Sequence, residues 1–87
     1  MKNLKPPPWS PNTVERFWSF VDKSSECWLW TGGVTPFGYG QFHNGLGPCA
    51  SHRFSFELHN GWGRARGKFI CHKCDVPGCV RPDHLFR

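Results

Sequence analysis

The stretch Cys71-His72-Lys73-Cys74-Asp75-Val76-Pro77-Gly78-Cys79-Val80-Arg81-Pro82-Asp83-His84 constrains the fold of this chain more than any other part of it. Four potential metal ligands and one further histidine fall within fourteen residues. Structural zinc takes four nitrogen or sulfur ligands in a tetrahedron, and closely spaced ligands reach one ion only where the chain turns sharply between them. Val76-Pro77-Gly78 and Arg81-Pro82 supply such turns. The spacing predicts a structural Zn2+ site, and two ligand sets satisfy it. One is Cys71, Cys74, Cys79 and His84, close to the spacing of a zinc knuckle that binds single-stranded nucleic acid. The other leaves His72 free, keeps Cys74, Cys79 and His84, and recruits a distant cysteine, Cys27.

A staple is what a chain of 87 residues needs, because so short a sequence buries a small fraction of its surface. Eight Phe, five Trp and one Tyr indicate a core of rings built around it. Five cysteines is an odd number, and Met1–Ser10 is too polar and proline-rich for a signal peptide, so thiolates on a metal are expected rather than disulfides. The expected location is the cytoplasm of a bacterial or phage-infected cell. No run is long enough to span a membrane, and no feature points to a small-molecule substrate. A formal charge of +5 suits a polyanionic partner, with DNA the leading expectation.

Residues 1–9 read as an extended, proline-rich arm and residues 10–87 as one domain. Ser10 and Pro11 open a helix carrying Val14, Phe17, Trp18 and Val21 at helical spacing. Cys27–Gly33 reads as a strand entering a turn, with Phe37–Phe42 returning beside it. Ala50–His59 reads as a second helix with Ala50, Phe54 and Leu58 on one face, stopped by Asn60-Gly61. A basic loop holding Arg64, Arg66 and Lys68 then leads into a last strand, Phe69–His72.

Several motifs occur in a fixed order: Cys27-Trp28-Leu29-Trp30-Thr31-Gly32, Gly38-Tyr39-Gly40, His52-Arg53, Gly61, and the Cys/His tail ending Pro82-Asp83-His84-Leu85. Taken together from about Phe17 to Phe86, they resemble the HNH or His-Me finger endonucleases, including the zinc-containing His-Cys box homing enzymes and phage HNH nucleases. The resemblance implies an α+β, zinc-stabilised ββα-metal domain acting on DNA. It implies that His72 is the general base that takes a proton from the attacking water, and that Cys27, Cys74, Cys79 and His84 hold the zinc. It also places Arg53 at the phosphate, where a cation stabilises developing charge. Arg64, Arg66, Lys68, Lys73 and Arg81 are the expected contacts to nucleic acid.

Two departures qualify that reading. Arg81 stands where the family usually has an asparagine that pins the loop through its amide. The sequence reaches Arg87 three residues after His84, so the final helix, which carries a ligand to the catalytic Mg2+ or Mn2+, is expected to be missing. The alternatives are therefore a catalytically inactive binding module, acting on DNA, as a homodimer, or as a phage-type inhibitor docked on a host nuclease or defence complex, and a knuckle-like single-strand binder. The last would use Cys71 in the zinc shell and Trp28, Trp30 or Phe42 as stacking platforms.

Overall fold

The computed structural model describes residues 9–87, so the arm expected over 1–9 lies outside the described residues except at its last position. Trp9 is no part of an arm: it is buried, with its ring 4.7 Å from Phe54 and 5.0 Å from Trp62. An indole among apolar rings removes a large apolar area from water, which fixes the start of the domain one residue earlier than its helix signals suggest.

Helix α1 spans Pro11–Ser19, with the Ser10 hydroxyl accepting from the Thr13 amide and Pro11 in the first turn, as the sequence reads. Phe17 on its inner face is fully buried, worth about 2–3 kcal/mol of apolar transfer. Around it pack Trp30, Phe42 and Phe54, with ring centroids 4.8–5.2 Å away. Val21 leaves the helix for strand β1 (Val21–Asp22), which pairs antiparallel with β2 (Leu29–Trp30).

The expected pairing of 27–33 with 37–42 shrinks to a single bridge between Val34 and Gly40. Thr35–Tyr39 closes on itself as a tight turn with Gly38 at φ +88°, so those residues are unavailable to a ladder. The returning strand β3 (Gln41–His43) pairs instead with β4 (Pro48–Ala50), an element the sequence reading does not contain. Gly40 is required where β3 begins, because a Cβ there would overlap the Ser51 hydroxyl and the Trp30 ring.

Helix α2 spans Ser51–Asn60 and ends at Gly61, whose φ of +121° suits only glycine. One face carries Phe54 into the aromatic core. Another carries Phe56 into a smaller cluster with Ala65, Ile70 and Leu85. That smaller cluster underlies the hairpin of β5 (Cys71–His72) and β6 (Leu85–Phe86), in which His72 pairs with Leu85. A one-turn 3-10 helix, Pro82–His84, leads into β6. The result is a small mixed α/β domain of three separate two-stranded ladders, with the Cys/His loop hung between β5 and β6.

Candidate metal centre and the histidine cleft beside it

The loop from Lys73 to His84 folds back so that Cys74, Cys79 and His84 converge, and the chain before β2 brings Cys27 to the same point. The Cys27–Trp30 segment is held there by Trp30 N–H donating to Gly78 O (2.9 Å) and Val80 N–H donating to Trp28 O (2.7 Å). The ligand atoms of the four residues all lie within 4.8 Å of one another. His84 Nδ1 stands 3.5 Å from Cys79 Sγ and 3.8 Å from Cys27 Sγ. Ordinary Zn–S and Zn–N lengths around a tetrahedron put such atoms roughly 3.5 Å apart, so the group is close enough to hold a metal ion such as zinc.

The chemistry of the donors agrees with the geometry. Burial and the adjoining thiols of Cys79 and Cys74 push Cys27 up to about 12, since three thiolates cannot share so small a space without a cation. Cys71, one strand residue ahead of His72, is exposed and outside the group. The knuckle-like set is thereby corrected: Cys27 takes the place it requires for Cys71. Two of its three stacking platforms go too, because Trp30 and Phe42 are buried in the core, while Trp28 is half-buried beside it.

Arg81, expected on nucleic acid, is committed to the metal loop. Its Nε donates to Asp83 Oδ1 (2.8 Å) and its Nη1 to the Glu26 carbonyl (2.8 Å), joining the residues just before His84 and Cys27. It thus pins the loop to the segment that carries Cys27. Its guanidinium also lies 5.7 Å from the Trp28 ring, on which Lys23 sits at 4.5 Å. Partners of this kind hold ligands in place from outside the coordination shell.

His72 follows from the same loop. Its Nε2 lies 3.0 Å from the carbonyl of Cys79, itself a member of the metal group. A carbonyl accepts only, so Nε2 carries the proton and Nδ1 keeps the free lone pair. Burial lowers the His72 pKa; the Cys79 carbonyl and Asp75 act against that shift. The ring is 4.6 Å from His52 and 6.0 Å from Tyr39, and it lines a cleft of about 410 Å3 with Tyr39, Phe69 and Asp75. Of the two aspartates in the loop, Asp75 faces this cleft and Asp83 belongs to the Arg81 brace.

Helix α2 orients the hairpin through two residues to which the sequence reading gives no role. The buried Ser55 hydroxyl donates to Val80 O (2.5 Å), and His52 Nε2 meets Ile70 O at 3.1 Å. Serine and histidine on an otherwise apolar helix face are the signal that could have found them. Arg53 neither makes an ion pair nor stands free. It donates to the carbonyls of Lys68 (2.6 Å) and Ala65 (2.7 Å), while Glu57 Oε2 accepts from the Gly63 and Ala65 amides. Helix α2 thereby shapes the basic loop and leaves Arg64, Arg66, Lys68 and Lys73 exposed.

Comparison with known proteins gives one point of reference. The chain is 35% identical over 63 residues, 71% of its length, to Protein 2.8 of Escherichia phage T7. It spans 42% of the length of that phage protein. No family model matches, and no solved structure matches. Among the described residues, no helix is long and apolar enough to cross a membrane.

Proposed function

We propose that this chain is the zinc-held part of an HNH-type DNA endonuclease, with Cys27, Cys74, Cys79 and His84 binding a structural Zn2+ and His72 serving as general base. The hydrogen bond from His72 Nε2 to the Cys79 carbonyl carries this reading. It ties the ring to a metal ligand, so the loop that binds zinc also sets the tautomer that accepts a proton. A water in the His72 cleft would give its proton to Nδ1. Its oxygen would form a bond to phosphorus as the opposite P–O bond breaks and the leaving oxygen takes a proton from solvent. The exposed cations Arg64, Arg66, Lys68 and Lys73 would grip the phosphate backbone. Arg53 would act chiefly by holding their loop.

The family's cleavage uses Mg2+ or Mn2+, which stabilises the leaving oxygen when bound. Among the described residues there is no second group of three ligands, and Asp75 is the one carboxylate lining the His72 cleft. That shortage among the described residues favours a second reading, a binding module seated on DNA or on a protein such as a host nuclease or defence complex.

One experiment separates the two. Zinc-loaded protein is incubated with supercoiled plasmid, with Mg2+ or Mn2+ and with EDTA, beside the His72→Ala variant. The nuclease reading expects metal-dependent nicking that falls at least about 100-fold in the variant while its zinc content stays unchanged. Loss of zinc from His72→Ala would show that His72 is a ligand and defeat the assignment. An intact, zinc-bound wild type that cuts nothing would establish the binding module.

A further inference from the structure

Two phenylalanines stand almost wholly in solvent, more so than any other Phe, Trp or Tyr ring of the described residues: Phe37 is 82% and Phe69 88% exposed. They come from distant parts of the chain, the Thr35–Tyr39 turn and the residue after the basic loop. Both nonetheless line a single cleft of about 370 Å3, with Tyr39, His52 and Arg53. Tyr39 and Phe69 also line the His72 cleft, so the two hollows share a wall.

The residues around the second cleft select its occupant. No acidic residue lines it, Arg53 does, and Phe69 directly follows the exposed Arg66-Gly67-Lys68. Aromatic faces flanked by cations match a base attached to a phosphate backbone, because a base offers a flat π-face and the backbone offers charge. An apolar partner surface would leave those cations unmatched. A base inside a duplex is stacked and cannot enter such a cleft, whereas an unpaired base enters at little cost.

We infer that the cleft between Phe37, Tyr39 and Phe69 receives an unstacked nucleobase, so that the His72 site is directed to DNA carrying unpaired or bulged bases in preference to perfect duplex. The inference rests on the proposed action on DNA and adds the class of substrate. It also gives the exposed phenylalanines a role that neither core packing nor the metal centre supplies.

The test uses the zinc-loaded full chain with His72→Ala, so that nothing is cut, and without added divalent ions. The probes are a duplex with a single bulged 2-aminopurine and the same duplex fully paired. Stacking on aromatic side chains should quench the bulged base, and the bulged duplex should bind about tenfold more tightly, the scale of one base–aromatic stack. Phe37→Ala and Phe69→Ala should each remove most of that preference, and Phe37→Ala, at a position outside the His72 cleft, should leave affinity for the paired duplex unchanged. Phe69→Trp should keep it. Their exposure makes loss of fold a minor risk, and zinc content checks it. Equal binding of both duplexes, or a preference untouched in the alanine variants, would overturn this inference while leaving action on DNA standing. Failure to bind either duplex would remove both.

Discussion

The aromatic core and the metal loop hold their shapes by opposite means. Around Phe17, a shell of Trp9, Trp30, Phe42 and Phe54 closes by ring packing with Val80 beside them, and α1, β2, β3, β4 and α2 supply most of its walls. The β5–β6 hairpin rests on a much smaller cluster of Phe56, Ala65, Ile70 and Leu85. The loop between its strands sends one apolar side chain, Val80, into the aromatic core and is otherwise held by Arg81, backbone bonds and the Cys/His group. The first region follows from how much apolar area it removes from water. The second gathers four donors close enough to hold a metal ion, and His72 sits in the second. The His72 ring is positioned by its hydrogen bond to the Cys79 carbonyl, in a loop whose main apolar anchor is Val80.

The sharpest way to break this comparison is to remove the metal. Stripping the protein with a strong chelator, or making Cys79→Ser, should cost the hairpin roughly 10 kcal/mol of folding free energy, the scale of structural zinc sites. Amide exchange should then lose protection over β5, β6 and the loop between them, while α1 and α2 keep theirs. Uniform loss across the chain would show that the two regions fold as one unit.

Phe17→Ala attacks the other side. It empties a fully buried ring site and should lower stability by about 3–5 kcal/mol in chemical denaturation. Zinc stoichiometry of the folded fraction should be unchanged. A matching fall in zinc content would tie the ion to the aromatic core.

The smallest effect concerns the joint between the regions. Burial, with the neighbouring His72 next in weight, pushes His52 from the usual 6.5 down to about 4, against the pull of the Ile70 carbonyl. The unfolded chain takes up this proton near 6.5 and the folded chain only near 4. The stabilising contribution is therefore complete above about pH 6.5 and lost as pH falls toward 4, by about 2 kcal/mol after screening. Side-chain NMR should find His52 still neutral at about pH 5.5. Protonation there near pH 6.5 would mean that α2 does not bury this ring against the hairpin.

Much of this was legible in residue order. The cap at Ser10, the stop at Gly61 and the convergence of Cys74, Cys79 and His84 depend on neighbours a few positions away, so local spacing exposes them. The β3–β4 ladder was missed because Pro48 and Cys49 carry no strand signal, and their pairing is decided by the turn between Asn44 and Gly47. The brace made by Arg81 was not legible because a cation looks alike in sequence whether it meets a phosphate or the Glu26 carbonyl.

By itself the sequence determined that a short chain gathers thiol and imidazole groups at metal-ligand spacing, and that rings fill the core. Each of these follows from length, residue type and short-range spacing. The tertiary structure alone decided that Cys27 rather than Cys71 completes the group, that His72 is held by a ligand's carbonyl, and that Phe37 and Phe69 meet at one cleft. The first and third join residues far apart in the chain, and the second depends on how the loop between His72 and His84 closes. Only closure of the whole fold, with its many packing contacts satisfied at once, sets which distant atoms come together.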